Sequence, residues 1–461
     1  MHHFRFSVAL GLLAWLLPIA ALCAAEEQAP IAGRKVVELD EPFTAFTCGG
    51  EGRYFVFHLK KAKKLALLDI TAGAIIKTID VPADDVILTA GLDKLIVSTP
   101  SKNLLHRYDL ATLKREKSVP TTGPAPIHLL LGAASPGPLV VWARTGPISL
   151  LDLETLKPAT IQGELLGGDP MYSFQMTISA DGQTMCGWTG GISGQVFHVM
   201  RLRDGVALQQ KTPEGFSDNG RWLRPSYDGS LCFKNGATIY HANMQAVSPD
   251  HFRGDVLLPA DDPRFFLALS EIPGKKNCQA WISTVGGLEK LINVDDLGQV
   301  RNGIIASDHG HVRMQPRVRY VPSLNLVVAI PEGEKHILLI DANLKKMLQA
   351  RGGEYLYVIS NAPGSVLLGQ PYRYQLESLS SGNGKVAYTL ESGPKGFKLS
   401  ADGKVTWTPK ERTANGVEKV VIVAKAKGDL ESFHSFEVVV EQPPVAPDTK
   451  EKDTSKDKNK D

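Results

Sequence analysis

The chain repeats itself about every 40 residues, and a repeat of this length leaves few possible folds. A unit consists of an apolar strand, a turn and a second strand, most clearly in residues 65–81, 104–119, 148–161 and 336–350. A period of about 40–45 residues with four strands per unit is typical of a β-propeller. We therefore predict a seven-bladed β-propeller over residues 34–352, with an insertion before the last blade. The turn positions are Asp69, Asp109, Asp152, Arg201, His241, Ser283 and Asp341, at intervals of 40, 43, 49, 40, 42 and 58 residues.

Turn residues and chain ends support this architecture. An Asp side chain accepts hydrogen bonds from nearby backbone N–H groups, so the repeated aspartates are expected to hold turns rather than to catalyse. The pairs Asp181-Gly182 and Asp228-Gly229 predict type I′ hairpins between the first two strands of two blades. Residues 35–39 precede the first unit, and we expect them to supply the outer strand of the last blade, which removes an exposed edge.

A different pattern begins after the repeats. Residues 355–442 contain six short runs of alternating apolar and polar residues, which predict a β-sandwich. The whole protein is therefore expected to be all-β. Residues 443–461 are rich in Lys, Asp and Glu with hardly any apolar side chains, and they predict a disordered charged tail.

The first 25 residues have the order of a secretory signal peptide: a short basic start, an apolar run, and small residues before a polar stretch. We expect export to the periplasm, cell envelope or extracellular space, with no transmembrane segment in the mature chain; a retained anchor is the alternative. The formal net charge of +2 gives no sign of nucleic-acid binding. Cys48, Cys186, Cys232 and Cys278 have no CxxC spacing and are expected to be buried free thiols.

Two family resemblances add to this interpretation. The period and the turn around Leu150–Leu156 make residues 34–352 similar to the YVTN-type and WD-repeat-like propellers of secreted bacterial proteins. Residues 355–442, most clearly through Gly393-Pro394, Asp402-Gly403 and Trp407-Thr408-Pro409, resemble the immunoglobulin-like, cadherin-like domain related to that of dystroglycan. The second resemblance implies a spacer or adhesion module with Trp407 in its core.

The sequence contains no recognisable catalytic motif and no cofactor signature. Two basic stretches lie just before predicted blade starts, where links cross one end of a propeller. Arg221, Trp222 and Arg224 are candidates for binding a sugar or a carboxylate, and Arg313, Arg317 and Arg319 are candidates for binding an anion. For both groups the alternative is packing or pairing with internal acids. His309 and His311 have the spacing of a metal site on a strand. The alternative is that they belong to a polar loop that binds no metal.

The sequence therefore predicts an exported, non-catalytic binding or scaffold protein without a cofactor. The propeller would be the recognition platform for a protein or an envelope polysaccharide, and the sandwich a spacer or adhesion module. We expect a monomer. The alternative is a propeller enzyme, similar to a lactonase or a lyase, that uses loop residues at the axial mouth. A quinone-dependent electron-transfer subunit has no supporting motif.

Overall fold

The computed structural model describes residues 33–442 apart from 122, 124, 144–147, 160–173, 192–193, 204–205, 212–222, 235–237, 242–245, 248–249, 301–304, 309–310, 315–316, 383 and 429. The predicted signal peptide (1–25) and the predicted tail (443–461) lie outside the described residues. Strands make up most of the described chain, which confirms the all-β prediction. No helix in this part is long and apolar enough to cross a membrane.

Most of the chain forms a series of antiparallel sheets in which consecutive strands are neighbours. The first strand, β1 (Arg34–Glu38), belongs to the last sheet of the series. Sheet 1 contains β2 (Ala45–Gly49), β3 (Tyr54–Leu59), β4 (Lys64–Asp69) and β5 (Ala74–Asp80). Sheet 2 contains β6 (Ile87–Ala90), β7 (Lys94–Thr99), β8 (Leu104–Asp109) and β9 (Arg115–Pro120). Sheet 3 contains β10 (Pro126–Leu130), β11 (Leu139–Ala143) and β12 (Ser149–Leu151).

The series continues in the same manner. Sheet 4 contains β13 (Phe174–Ile178), β14 (Thr184–Gly191), β15 (Gly194–Arg203) and β16 (Val206–Lys211). Sheet 5 contains β17 (Leu223–Pro225), β18 (Leu231–Lys234), β19 (Thr238–His241) and β20 (Ala246–Val247). Sheet 6 contains β21 (Val256–Pro259), β22 (Phe265–Glu271), β23 (Cys278–Thr284) and β24 (Lys290–Val294). A hairpin of β25 (Ile305–Asp308) and β26 (His311–Met314) follows, where an insertion was predicted. Sheet 7 contains β27 (Val318–Val321), β28 (Leu326–Ala329), β29 (His336–Asp341) and β1.

Each of these sheets packs on the next through a hydrophobic core, and sheet 7 packs back on sheet 1. The series therefore runs around an axis, and the described residues form a β-propeller. Short 3-10 turns lie at Pro100–Lys102, Asp250–Phe252 and Pro322–Leu324. Buried residues from the two sides of each core are Val56 and Val97, Ile96 and Leu139, Val140 and Met185, Cys186 and Cys232, Phe233 and Phe266, Phe265 and Tyr320, and Val328 and Phe57.

The first and last repeats are joined as predicted. Strand β1 pairs antiparallel with β29, with Lys35 opposite Leu339 and Val37 opposite Ile337. The second half of the last repeat was predicted as a strand, and this is wrong: it forms helix α1 (Leu344–Arg351). Strand β1 already occupies the outer edge of β29, and the Asn343 side chain caps the new helix by accepting a hydrogen bond from the Lys346 N–H.

The turn aspartates are structural, as predicted. The carboxylate of Asp69 accepts from the Thr71 N–H at 2.9 Å, and Asp109 accepts from the Thr112 N–H at 2.9 Å. The type I′ prediction for the Asp-Gly pairs is wrong, because only the glycine, such as Gly182 at φ +76°, lies in the left-handed region. The hairpin is held instead by Ser179, whose hydroxyl donates to Asp181 and accepts from the Thr184 N–H.

The C-terminal region contains further sheets that share one hydrophobic core. Trp407 lies in that core, 5% exposed, as predicted. One sheet contains β31 (Ser365–Leu367), β38 (Glu431–Glu441), β37 (Val417–Lys425) and β34 (Ala387–Ser392). A second contains β32 (Tyr372–Gln375), β36 (Lys404–Trp407) and β35 (Lys398–Leu399), and a third pairs β30 (Leu356–Val358) with β33 (Ser378–Ser380).

Candidate ligand-binding site in the axial channel

A cavity of about 210 Å³ lies on the axis of the propeller. The first strand of every sheet from 1 to 7 contributes to its wall, which is expected where inner strands surround a channel. Most of the wall is apolar or neutral. Lining residues from the successive sheets are Thr47, Leu88, Leu129, Met176, Arg224, Pro259 and Arg319.

The charged side chains in this wall are Arg224, Arg319 and Asp261. Arg319 and Asp261 form a bidentate ion pair, with the Arg319 Nε 2.9 Å from the Asp261 Oδ2 and Nη2 in contact with Oδ1. The Asp261 side chain is only 3% exposed. Burial by itself would lower the pKa of Arg319, but the Asp261 carboxylate outweighs this effect and the pKa is raised. Asp261 is therefore fully engaged by one of the two arginines.

Arg224 is the second arginine, and no described residue pairs with it in this way. It lies half-buried on β17, and no described residue forms a hydrogen bond or ion pair with it. Burial, and then the charge of Arg319, lower the pKa of Arg224 to about 10. It is therefore still protonated at neutral pH.

The other titratable side chains of the wall do not balance this charge. Burial raises the pKa of the Cys48 thiol to about 12, and burial also raises the pKa of Tyr227, so both are neutral at pH 7. Together with Arg224, Arg319 and Asp261, the described wall carries one net positive charge.

The hairpin between β2 and β3 crosses one end of the channel. The Gly50 N–H donates to the Gly91 carbonyl at 2.8 Å, and the Glu51 N–H donates to the Ala133 carbonyl at 3.0 Å. On the other side, a Cβ on Gly52 would lie 2.5 Å from the Asp261 Oδ2, and Gly52 has a φ of +92°. The hairpin of sheet 1 thus contacts sheets 2, 3 and 6. Strand β26 of the inserted hairpin contacts β13 of sheet 4.

The residues predicted from the sequence are distributed unevenly. Arg224 and Arg319 meet in the channel wall, although 95 residues separate them in sequence. Arg317 does not: it is 3% exposed, its Nη2 lies 2.6 Å from the Glu334 Oε1, and its guanidinium lies 5.5 Å from the Phe43 ring centroid. This position is the seam between sheets 7 and 1.

The remaining predicted residues are described in part or not at all. Arg221, Trp222 and His309 lie outside the described residues, and for His311 and Arg313 only the backbone, in β26, is described. Their binding roles stay predictions. In the part of the chain that the structure describes, no group of three or more His, Cys, Asp or Glu side chains could hold a metal ion.

Sequence reasoning missed Asp261. The pair Asp261-Asp262 is adjacent in sequence, and such pairs usually face solvent. The structure separates them: Asp261 turns into the channel toward Arg319, whereas Asp262 pairs with Arg264 at 2.7 Å. Its place in the repeat could have indicated its role: Asp261 directly follows the inner strand β21, at the end where the hairpin of sheet 1 lies.

A second cavity, of about 240 Å³, lies between the propeller and β38 of the C-terminal region. We call the contacts between the propeller and the C-terminal region the junction. Here Asn361 Nδ2 donates to the Ser230 hydroxyl at 2.8 Å, and Arg264 Nη1 lies 2.7 Å from the Glu377 Oε2. His434 is 1% exposed, with its Nε2 3.0 Å from the Tyr374 hydroxyl.

No protein-family profile and no curated protein matches the chain. Among solved structures, it is similar to the β-propeller domain of Cps50 (Swd1) from Myceliophteria thermophila, with 11% identity and a TM-score of 0.43 over 66% of this chain and 97% of that one. It is also similar to a chain of the mitotic checkpoint complex, with 12% identity and a TM-score of 0.43 over 72% of this chain and 99% of that one. Likenesses of this strength say nothing about what this protein binds. Its own sheets identify it as a β-propeller protein with a further β-rich region at the C-terminal side.

Proposed function

We propose that this protein is a non-catalytic binding protein whose axial channel holds a carboxylate presented by a partner protein. The observation that carries the proposal is Arg224, a half-buried guanidinium without a partner among the described residues. A buried charge is costly unless it is paired. A carboxylate is the natural partner, because its two oxygens match the fork of a guanidinium.

The balance of charge favours a single anionic group. Arg319 is neutralised by Asp261 at 2.9 Å, so one positive charge remains in the described wall. One carboxylate would neutralise it and would also give Arg224 hydrogen bonds that no described residue provides. A second carboxylate would meet the negative charge of Asp261 without a cation to offset it.

The size of the cavity favours a side chain over a sugar. Pockets that enclose small molecules usually measure about 300–1,000 Å³. The axial cavity measures about 210 Å³, which suits the end of an Asp or Glu side chain. A protein partner is therefore preferred to an envelope polysaccharide.

The same wall argues against the enzyme alternative. Catalysis by a general base or nucleophile needs a group that ionises near the working pH. Within the described wall, Cys48 has a pKa of about 12, Asp261 is engaged by Arg319, and Tyr227 has a raised pKa. These groups suit binding of an anion better than proton transfer.

The finer architecture and the location belong to the same proposal. We infer that sheets 1 to 7 are the blades of a seven-bladed propeller over residues 34–352. The C-terminal region would be an immunoglobulin-like sandwich over residues 355–442 that serves as a spacer or adhesion module. The pattern of residues 1–25 supports export to the periplasm, cell envelope or extracellular space, and we expect a monomer.

The test compares the thermal stability of the full chain in acetate and in chloride at equal ionic strength. Acetate should stabilise the wild type more than chloride. At an acetate concentration of 100 times its Kd, binding would raise the free energy of unfolding by about 2.7 kcal/mol. Arg224→Gln should abolish this difference. The matched control Arg373→Gln, at an exposed arginine on β32, should retain it. An undiminished acetate effect in Arg224→Gln would overturn the proposal.

A second arm separates the two kinds of partner. A Glu-containing acidic peptide and an oligogalacturonate are compared at equal carboxylate concentration. Greater stabilisation by the peptide supports a protein partner. Greater stabilisation by the oligogalacturonate, if it is lost in Arg224→Gln, would show that the site binds an acidic polysaccharide and not a protein.

A further inference from the structure

Two cysteines from neighbouring sheets meet inside the propeller. Cys186 lies on β14 of sheet 4 and Cys232 on β18 of sheet 5, and their Sγ atoms are 2.8 Å apart. They are 0% and 4% exposed. The two thiols form the centre of the core between these sheets, together with Val199, Leu223 and Tyr240.

This arrangement is specific to one pair. Cys48 and Cys278 are also buried and free, but Cys48 lies in the channel wall and Cys278 begins β23 in sheet 6. They therefore provide internal controls.

We propose that Cys186 and Cys232 form a disulfide bond that ties sheet 4 to sheet 5. The bond would need the sulfur atoms to approach from 2.8 Å to about 2.05 Å, a movement within reach of small side-chain rotations. It would close a loop between residues 46 apart in sequence. The proposal goes beyond ligand binding and does not depend on it.

The reaction is thiol–disulfide exchange with a disulfide-bearing oxidant, such as glutathione disulfide or the disulfide of an oxidoreductase. One cysteine thiolate attacks the oxidant, forms a mixed disulfide and releases one thiol. The second cysteine then attacks the mixed disulfide and releases the other thiol. In total, two cysteine thiols are oxidised to one disulfide, and the oxidant is reduced to two thiols.

The reaction should take place before the two sheets finish packing. In the folded protein both sulfur atoms are shielded from any oxidant, and burial raises the pKa of Cys186 well above its ordinary value, which disfavours the reactive thiolate. The same shielding would protect the finished bond from reductants.

The bond would stiffen the wall beside the candidate binding site. Cys232 is paired in the sheet with Pro225, the residue after Arg224. On the neighbouring inner strand, the Thr177 hydroxyl donates to the Leu223 carbonyl at 2.6 Å. Sheets 4 and 5 are thus joined on both sides of the arginine that we place in the channel.

The test is to refold the full chain from urea in a mixture of reduced and oxidised glutathione. Free thiols are then alkylated in denaturant, and the peptides are mapped by mass spectrometry without reduction. We expect one cross-link, between the peptides of Cys186 and Cys232, with Cys48 and Cys278 alkylated. The thiol count in denaturant should fall by two relative to fully reduced protein.

Variants separate this bond from random oxidation. Cys278→Ala should keep the cross-link, and Cys232→Ala should lose it. If Cys232→Ala does not fold, the peptide map of the wild type alone shows whether the bond forms. Reduction should lower the urea midpoint of the wild type and leave that of Cys232→Ala unchanged. Alkylation of both Cys186 and Cys232 in the refolded wild type, or cross-links spread over several pairs, would overturn the proposal. Arg224→Gln should retain the bond, so this test is independent of the binding test.

Discussion

The axial channel and the junction bury polar groups in different ways. Between the propeller and the C-terminal region, two described arginines contact acids: Arg264 contacts both Asp262 and Glu377 at 2.7 Å, and Arg201 lies 3.3 Å from Glu441. In the channel, Asp261 neutralises Arg319, whereas no described residue pairs with Arg224.

The buried histidine of the junction fits the same contrast. Burial lowers the pKa of His434 to about 4, so it is neutral at pH 7 and adds no charge. A surface that only holds two parts of a chain together gains from matched charges and neutral buried groups. An unmatched buried charge is useful only where something else supplies the partner. This difference separates a structural contact from a candidate binding site.

The largest expected effect is that of removing the acid from the channel. Asp261→Asn would leave Arg319 and Arg224 both without a counter-charge among the described residues, and losing one member of a buried ion pair typically costs about 3–5 kcal/mol. The free energy of unfolding in urea measures the loss. The adjacent Asp262→Asn is the matched control, with a loss near 1 kcal/mol, because its partner Arg264 is 35% exposed. Equal losses would show that breaking the channel pair Asp261–Arg319 costs no more stability than breaking the junction pair Asp262–Arg264.

The second effect is a pH dependence that comes from the junction. The folded pKa of His434 is about 4 and the unfolded value about 6.5, so between these values the unfolded chain binds a proton that the folded chain does not. The stability from neutral His434 is therefore complete above about pH 6.5 and is lost as the pH falls toward 4, by roughly 3 kcal/mol in total.

The measurement compares urea unfolding of the wild type and His434→Gln from pH 7 to pH 4. Burial also lowers the pKa of His58 and His106, and their contributions cancel in the difference between the two proteins. The wild type should lose more stability across this range than the variant. Parallel curves would mean that His434 is not shielded at the junction.

The smallest expected effect is at the edge of the junction. Glu377 is 52% exposed, and exposed ion pairs contribute about 0–1 kcal/mol. Glu377→Gln should therefore cost less than about 1 kcal/mol, and the cost should shrink as salt is added. Exposed Glu391→Gln, on β34, serves as the control. A salt-independent loss above 2 kcal/mol would place Glu377 among the buried charges.

Much of the propeller could be predicted because its signals are local. The turn at Asp69 is held by Thr71 two residues away, and the strands on either side are read directly from the apolar pattern. The pairing of β1 with β29 was also predictable, since an N-terminal strand without a neighbour and a last blade without an outer strand complement one another. Helix α1 could not be predicted in this way. The choice between strand and helix depended on the outer edge of β29, which the distant strand β1 already occupies.

The candidate site depends on interactions that no local pattern contains. Arg317 and Arg319 are two residues apart, yet one pairs with Glu334 at the seam of the ring and the other with Asp261, 58 residues away, in the channel. Cys186 and Cys232 meet although 46 residues separate them. The sequence by itself determined which residues turn, pair and alternate, because hydrogen bonding and side-chain periodicity act over a few residues. Which charges and thiols meet was decided only by the tertiary structure, because closing the sheets around an axis brings strands that are distant in sequence into contact.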